Sequence, residues 1–303
     1  MSLFDGAFPL ALDGSVFGWT IGEEASEAVL DAFTDAGGTV IDTADSYSAW
    51  VPGHAGGESE RIIGAWTATR HNRDRVVLAT KIGRHPKAPG LSAAAIRAAV
   101  DASLGRLRTD HVDLCVAHAD DPDTPLEETV GAFDELVRAG KVGAVGLAEF
   151  TAERVRAWAR IAGPDGLRVL QPHYHLVRRE PAERDLAAVA AEAGLAVMPY
   201  FSAGSGFLSA RYRQSRAVRT EPHYFSHAGL WAFDALETIA LARRVKPAVI
   251  ALAWLRAQPG VTAPIVTVRS PEQLADLTLA AGLDLTAAER KDLDEISETE
   301  LND

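Results

Sequence analysis

The chain has 303 residues, a single cysteine and a formal net charge of −12. The acidic balance disfavours nucleic acids and anionic membranes as partners, because both need a basic surface. Cys115 cannot form an internal disulfide, the first fourteen residues show no signal-peptide pattern, and no apolar run approaches the ~18 residues of a membrane span. We expect one domain over residues 1–303 in a reducing cytoplasm. The sequence leaves the oligomeric state open.

Short apolar runs alternate with amphipathic segments along the whole chain, and the runs predict strands. Several of them are apolar throughout, as parallel strands buried on both faces should be. The predicted strands are Val16–Trp19, Thr39–Asp42, Val76–Lys81, Val112–Ala117, Gly143–Leu147, Arg168–Gln171, Ala196–Tyr200 and Pro264–Thr267. Eight strands alternating with helices predict an α/β fold, a closed (β/α)8 TIM barrel. An open doubly wound sheet is the alternative, but no G-x-G-x-x-G turn follows the first strand.

The intervening helices have recognisable ends. Thr124-Pro125-Leu126-Glu127 predicts a capping box with proline at the first helical position, and Gly140 predicts the end of that helix. The other predicted helices include Glu23–Ala36, Ser92–Leu107, Ala182–Ala193 and Thr286–Ser297, and glycines follow the first and third of them.

Two long connections follow predicted strands, at the face where barrel enzymes carry their chemistry. Ser48–Gly57 is rich in glycine, and Gly204–Ala232 is rich in arginine and aromatic residues. Long loops in compact domains are usually functional. We therefore expect both loops to shape a site at the C-terminal face of the barrel.

Four chemically distinct side chains follow three consecutive strands. Asp42 ends the second strand and Tyr47 follows it, Lys81 ends the third, and His118 follows the fourth. A free phenol has a pKa of ~10, and a nearby ammonium makes it a better acid. A carboxylate would hold the ammonium, and an imidazole would orient a substrate oxygen. This set suits reduction of a carbonyl group, whose oxygen needs a proton when hydride adds to its carbon.

These residues carry a resemblance to the aldo-keto reductase family that extends over nearly the whole chain. Asp42-Thr43-Ala44 with Tyr47 resembles the family's Asp and Tyr segment, and the stretch from Gly57 to Gly64 resembles the family's next segment along the chain. The resemblance implies that Tyr47 is the proton donor, that Lys81 and Asp42 tune it, and that His118 orients an aldehyde or ketone.

The resemblance also implies an NADPH cofactor. Gln171 corresponds to the residue that holds the nicotinamide carboxamide, and an aromatic residue of the segment after the seventh strand corresponds to the one that stacks on the ring. The amides of that segment correspond to those that meet the pyrophosphate, and the segment around Arg269 corresponds to the 2′-phosphate site. The implied cofactor contacts are Trp19, Asp42, Glu149, Gln171, Tyr200, Phe201, Ser202, Ala203, Gly204, Gly206, Arg269 and Gln273.

Several positions depart from the family pattern. Ala148 and Glu149 stand where the family usually has Ser and Asn, so Glu149 can only accept a hydrogen bond from the carboxamide NH2. Its charge should favour the oxidised ring over the reduced one. Thr267 and Val268 replace residues that hold the 2′-phosphate in some members, which leaves NADH as an alternative cofactor.

The substrate is predicted only as a small-molecule carbonyl compound, such as a keto sugar or an aryl aldehyde. The expected substrate contacts are Trp19, Tyr47, Trp50, His118, Phe225 and Trp231. Two other functions remain open. One is a cofactor-binding redox sensor resembling potassium-channel β subunits. The other is a metal hydrolase using His173 and His175, although the eighth strand offers no acid or histidine; we expect no metal site.

Overall fold

The computed structural model describes residue 4, residues 8–209 and residues 222–298. Eight parallel strands form one curled sheet. They are β1 Ala11–Asp13, β2 Val40–Asp42, β3 Val77–Ile82, β4 Val112–Ala117, β5 Val142–Ala148, β6 Val169–Gln171, β7 Ala196–Val197 and β8 Ile265–Val266. Their spatial order in the sheet is β8-β1-β2-β3-β4-β5-β6-β7.

The last strands complete the curl. Val197 forms a parallel bridge with Val261, and its carbonyl accepts from the amide of Thr262 at 2.8 Å. The amide of Ile265 donates to the carbonyl of Pro199, also at 2.8 Å. These bonds join β7 to the chain that enters β8, while β8 pairs with β1. The predicted (β/α)8 barrel is confirmed.

Helices surround the strands, and the described residues form ten of them. They are α1 Glu23–Asp35, α2 Glu58–Arg70, α3 Ala93–Leu107, α4 Leu126–Arg138, α5 Ala152–Ala162, α6 Ala187–Ala193, α7 His227–Arg243, α8 Pro247–Arg256, α9 Pro271–Gly282 and α10 Ala287–Glu298. A π-helical turn, Ala182–Leu186, precedes α6. A short hairpin pairs Arg84–His85 with Ala88–Pro89 beyond β3.

The position predicted for the first strand was wrong. The strand is Ala11–Asp13, and Val16 lies in the 3-10 turn Gly14–Val16 that follows. Both segments are buried, but Ala11 and Leu12 pair with β2 on one side and β8 on the other, whereas Phe17 makes only an isolated bridge to Ile21. The carboxylate of Asp13 then caps the turn by accepting from the amide of Ser15, so the chain leaves the sheet there.

The start of α4 also differs from the prediction. Pro125 is the N-cap, and no side chain caps the helix. Thr124 donates its hydroxyl to Asp121 (2.8 Å) instead of forming the expected capping box. The glycines predicted to follow helices do occupy the left-handed region, with φ of 72° at Gly140 and 63° at Gly194.

The loop Ser48–Gly57 lies between β2 and α2, as predicted. The second predicted connection, Gly204–Ala232, is shorter than expected, because α7 begins at His227. The hydroxyl of Ser226 accepts from the amide of Gly229 (3.1 Å) and caps that helix. The part of this connection from residue 210 to 221 lies outside the described residues.

Small and branched side chains fill the barrel interior. The interior cluster takes residues from nearly every strand, and alanine supplies several of them. Its buried members are Ala11, Val40, Ala79, Leu114, Val116, Ala144, Ala148, Val169, Met198 and Ile265. Successive side chains of a strand point to opposite faces of the sheet. A residue two positions after one of these interior residues therefore also points inward, at the mouth of the barrel.

Candidate active site

The alternation directs polar residues into the mouth at the C-terminal ends of the strands. Asp42, Lys81 and Gln171 each lie two positions after an interior residue of their own strand. His118 lies two positions after the interior residue Val116. Four strands therefore contribute one polar side chain each to a single layer above an apolar core, which explains how residues distant in sequence meet here.

Lys81 is held by an ion pair at the floor of the mouth. Its ammonium donates to Oδ2 of Asp42 and to the carbonyl of Thr43 (3.0 Å). The second carboxylate oxygen, Oδ1, accepts from the amide of Gln171 (3.0 Å). All three side chains are at least 94% inaccessible to solvent. The network fixes the lysine in one position and leaves no freedom to the carboxylate.

Tyr47 is brought over this ion pair by the chain that leaves β2. The carbonyl of Tyr47 accepts from the amide of Gly57 (3.1 Å), which ties the tyrosine to the start of α2. The ammonium of Lys81 then lies 4.9 Å from the centre of the Tyr47 ring, and the ring of His118 lies 6.3 Å from it. The four predicted catalytic residues thus lie together.

The protonation of this group suits an acid and a neutral hydrogen-bond donor. Burial, with the charges of Asp13 and Asp42, raises the pKa of Tyr47 well above 10, so the phenol keeps its proton at neutral pH. Burial, with the positive charges of Lys81 and Arg84, lowers the pKa of His118 well below 6.5. A neutral imidazole can donate one hydrogen bond to a substrate oxygen.

Aromatic rings continue from Tyr47 toward solvent. Trp50 lies 6.2 Å from the Tyr47 ring and 5.6 Å from Trp19, each pair edge to face. The indole of Trp19 donates to the carbonyl of Ser15 (2.5 Å). Both tryptophans are about half exposed, at 45% and 55%. They offer apolar surface beside the polar floor, where a flat organic molecule could lie.

Two other residues predicted to contact substrate lie at the start of α7, Phe225 just before it and Trp231 within it. Phe225 packs on Phe207, with ring centres 5.4 Å apart. Trp231 lies on α7 beside His227, at 6.1 Å. Neither contact involves Tyr47, and a role for these two rings in substrate binding stays a prediction.

Sequence reasoning missed Asp13, which belongs to the same layer. It ends β1, it is 8% exposed, and it lies in register beside Asp42. Its carboxylate accepts from the hydroxyls of Ser15 (2.6 Å) and Thr267 (2.7 Å). The signal was present in the sequence as an acid after the apolar run Leu10-Ala11-Leu12, but the first strand was predicted too far along the chain.

The segment after β7 provides aromatic surface on the opposite side of the mouth. Tyr200 lies 5.0 Å from His173 at an interplanar angle of 32°, and Phe201 is half exposed. Ser202 is buried, and its hydroxyl lies within 3.0 Å of the carbonyls of Pro199 and Ile265. The Ser202 side chain therefore helps to join β7 to β8.

The glycine turn that follows is shaped by its own hydrogen bonds. Gly204 and Gly206 have φ of 58° and 96°, in the left-handed region that suits glycine. The amide of Gly204 donates to Phe201 (2.6 Å) and that of Gly206 donates to Ala203 (3.1 Å). Both amides donate hydrogen bonds within the turn, and they therefore stabilise the shape of the loop.

The N-terminus of α9 is a candidate anion site. Arg269 precedes the N-cap Ser270, and its amide donates to the side chain of Gln273 (3.0 Å). The buried Nε of Arg269 has no hydrogen-bond partner within the described parts of the chain. Free amides at a helix N-terminus and a guanidinium both favour a phosphate.

Glu149 is exposed at the end of β5 with φ of 54°. Left-handed geometry in a non-glycine residue is uncommon and turns the chain sharply. The turn carries the Glu149 carboxylate out of the strand and toward solvent.

Comparison with known proteins agrees with this arrangement. A model of the aldo/keto reductase family matches residues 11–298. The aldo-keto reductase YhdN of Bacillus subtilis is 31% identical over 309 residues, covering 97% of this chain and 89% of that protein. The norsolorinic acid reductase stcV of Emericella nidulans is 32% identical, covering 93% and 76%. The aryl-alcohol dehydrogenase GME11368 of Pestalotiopsis microspora is 29% identical, covering 94% and 78%.

The chain belongs to the aldo/keto reductase family. The resemblance read from the sequence is therefore confirmed, and this aldo/keto reductase is an oxidoreductase.

The histidines that suggested a metal hydrolase have other neighbours in this aldo/keto reductase. His175 is fully buried, and its Nε2 lies 2.9 Å from the hydroxyl of Tyr224. The same hydroxyl lies 3.4 Å from His173. Within residues 8–209 and 222–298, no three His, Cys, Asp or Glu side chains are grouped so that they could hold a metal ion. No described helix is long and apolar enough to cross a membrane.

Proposed function

We propose that this aldo/keto reductase reduces an aldehyde or ketone to an alcohol with NADPH. The observation that carries the proposal is the buried ion pair of Lys81 with Asp42 beneath the Tyr47 ring, beside a neutral His118. A phenol can protonate a carbonyl oxygen, while an ammonium stabilises the phenolate that remains and a neutral imidazole orients the oxygen.

Each residue would have a distinct part. When bound, a reduced nicotinamide supplies the hydride that adds to the carbonyl carbon. Tyr47 holds its proton at neutral pH and transfers it to the carbonyl oxygen. The Lys81 ammonium stabilises the phenolate that remains on Tyr47, because an opposite charge favours the ionised form. His118 donates a hydrogen bond that orients the same oxygen.

The residues present fit a nicotinamide dinucleotide. The Gln171 amide and the Asp42 carboxylate offer polar contacts at the floor, while Tyr200 and Phe201 offer flat surfaces for the ring. Arg269, beside the N-terminus of α9, would meet the adenosine end of the cofactor. Its buried Nε has no hydrogen-bond partner within the described residues. A guanidinium and a helix N-terminus suit a 2′-phosphate, which favours NADPH over NADH.

An aryl aldehyde is the proposed substrate class. Trp19 and Trp50 present half-exposed edge-to-face rings beside Tyr47, and planar apolar surfaces of this kind favour an aromatic substrate. One relative is named an aryl-alcohol dehydrogenase, which is consistent with this choice.

The test is oxidation of NADPH by the purified protein in the presence of 4-nitrobenzaldehyde. We expect turnover in the wild type and a loss of about 10²-fold or more in Tyr47→Phe, since that change removes the acid. Tyr174→Phe is the matched control, because the Tyr174 phenol donates to Glu183 (2.5 Å). Cofactor binding, followed by fluorescence, should survive in both variants.

Near-normal turnover of Tyr47→Phe would remove Tyr47 from the mechanism. Tight NADPH binding by the wild type without turnover of any carbonyl in a broad panel would instead favour a redox-sensing subunit.

A further inference from the structure

We propose that Glu60 is a positioning residue for proton transfer. Through Thr80 and Arg106 it ties the first turn of α2 to β3 and α3, and it thereby fixes Tyr47 over Lys81. We call Glu60, Thr80 and Arg106 the α2 clamp. The inference rests on the proposed function for its effect on turnover, whereas its effect on the chain at Tyr47 can be measured without turnover.

Glu60 is a buried carboxylate that bonds two other elements. It is the third residue of α2 and is inaccessible to solvent. Its Oε1 accepts from the hydroxyl of Thr80 (2.6 Å), and its Oε2 accepts from Nε of Arg106 (2.5 Å). Successive side chains of a strand point to opposite faces, so Thr80 points to the helices while the next residue, Lys81, points into the mouth. The carboxylate is therefore bonded to the neighbour of the proposed catalytic lysine.

Arg106 lies against the residue from which the Tyr47 carbonyl is held. Gly57, the N-cap of α2, donates its amide to that carbonyl (3.1 Å). A Cβ on Gly57 would overlap Nε and Cδ of Arg106, so the side chain that is bonded to Glu60 also packs directly on this glycine. A movement of the Glu60–Arg106 pair would therefore shift Gly57 and, with it, the backbone of Tyr47.

The same turn of α2 is bonded to the end of β2. The hydroxyl of Ser59 accepts from that of Thr43 (2.8 Å), and both residues are inaccessible to solvent. Thr43 follows Asp42, and its carbonyl accepts from the Lys81 ammonium (3.0 Å). Ser59 and Glu60 thus bond to the sequence neighbours of the two residues that form the ion pair.

The clamp holds the segment of Tyr47 at its far end. Before Tyr47, the amide of Asp45 donates to the carbonyl of Lys81 (2.9 Å). After Tyr47, the chain reaches β3 again through Gly57 and the clamp. The Lys81 ammonium lies 4.9 Å from the centre of the Tyr47 ring, and both ends of the segment set this spacing. A displacement of about 1 Å can lower a rate by about 10²-fold, so loss of the clamp should slow proton transfer.

The kinetic test removes one hydroxyl of the clamp. Thr80→Val keeps the shape of the side chain but cannot donate to Glu60. With 4-nitrobenzaldehyde and NADPH, we expect kcat and kcat/KM to fall together by about 10- to 100-fold, because the geometry of the transition state is lost. NADPH affinity should be retained, since Tyr200 and Arg269 lie on other elements. Thr80→Ser keeps the hydroxyl and should retain turnover, although it leaves a small cavity.

The second readout is hydrogen exchange of the Gly57 amide, followed by NMR. We expect this amide to exchange about tenfold faster or more in Thr80→Val, because the start of α2 opens more often. Thr80→Ser should return the exchange toward the wild-type rate. If Thr80→Val does not fold, Glu60→Gln replaces it with the same expectations, because its one amide oxygen replaces the two oxygens that Glu60 uses.

Thr67→Val is the matched control for loss of a buried threonine hydroxyl. Thr67 is 3% exposed and also lies on α2, but its hydroxyl donates within the helix, to the carbonyl of Gly64 (3.2 Å). This variant should change neither kcat nor the exchange of the Gly57 amide.

The inference would be overturned by wild-type kcat in Thr80→Val. Equal impairment of Thr80→Ser and Thr80→Val would also overturn it, because packing and not the hydroxyl would then be responsible. A lower kcat with unchanged Gly57 exchange would contradict the route through Tyr47. Lack of wild-type turnover would count against the proposed function, and the Gly57 exchange would still decide whether the clamp holds the chain at Tyr47.

Discussion

Asp45 lies in the same turn as Asp42 and Tyr47, but its surroundings are different. It is 1% exposed and lies near Glu60, which pairs with Arg106 (2.5 Å). Burial and the charge of Glu60 raise the pKa of Asp45 to about 7, and Arg106 offsets only part of this effect. The folded protein therefore holds a proton on Asp45 over a range in which the unfolded chain has released it.

We expect Asp45→Asn to stabilise the protein at pH 8 and to change little at pH 4. An aspartate with a raised pKa carries no penalty below its unfolded pKa of ~3.8, and the penalty grows as pH rises to about 7. The difference of about three pH units, at ~1.4 kcal/mol each, limits the gain to about 4 kcal/mol.

Urea unfolding of wild type and Asp45→Asn at several pH values measures this difference. The matched control is Asp74→Asn, at an exposed position. It measures the effect of the same Asp→Asn change at the protein surface. A constant difference between wild type and Asp45→Asn from pH 4 to 8 would show that folding does not raise the pKa of Asp45.

At this scale the sequence predicted which polar residues lie together at the mouth, because strand-end residues can be recognised from the apolar runs before them. Asp42, Lys81 and His118 follow long or well-bounded runs. Asp13 ends a strand of only three residues, and the apolar segment around Val16 was taken for that strand instead. The contact of Asp13 with Thr267 could not be predicted, since it joins residues 254 positions apart.

At the scale of elements, one glycine allows α2 and α3 to pack closely. A Cβ on Gly64 would lie 2.4 Å from the carbonyl oxygen of Arg106 and 2.7 Å from the Cα of Leu107. These are backbone atoms of α3, so no side-chain rotation could relieve the clash. The segment that carries Tyr47 leads into α2 and is bonded to Gly57 at its start, so a shift of α2 would affect the site.

We expect Gly64→Ala to destabilise the fold by about 2 kcal/mol or more, because α3 would have to move. Gly105→Ala is the control within the same helix pair. A Cβ at Gly105 meets nothing within 4 Å, so alanine there should stabilise the protein by roughly 0.5–1 kcal/mol. Thermal unfolding of both variants measures the contrast. A gain in stability for Gly64→Ala would contradict the close packing.

Helices were predicted better than strands and caps. The apolar period of Ser92–Leu107 matches α3, whose N-cap Ser92 accepts from the amide of Ala95 (3.3 Å). By contrast, β7 and β8 have only two residues each, and the bonds that join them come from Thr262 and Ile265. Closure is a long-range property, so local sequence patterns indicate strands but not which bonds complete the barrel.

At the scale of the whole molecule, the proposed cofactor site spans the barrel. Its floor comes from β2 and β6, its aromatic wall follows β7, and its phosphate end lies at the start of α9 after β8. A ligand held by all these elements binds the folded chain and not the unfolded one. Binding should therefore stabilise the whole barrel and not one loop.

NADPH should raise the unfolding temperature more than NADH does at equal concentration. A ligand at 100 times its Kd adds about 2.7 kcal/mol, which corresponds to roughly 5 °C for a chain of this size. Arg269→Ala should reduce the shift caused by NADPH and leave that caused by NADH nearly unchanged, because only NADPH carries the phosphate for the guanidinium. Arg290→Ala, on α10, should leave both shifts unaltered. Equal shifts for the two cofactors in the wild type would show that Arg269 does not read the 2′-phosphate.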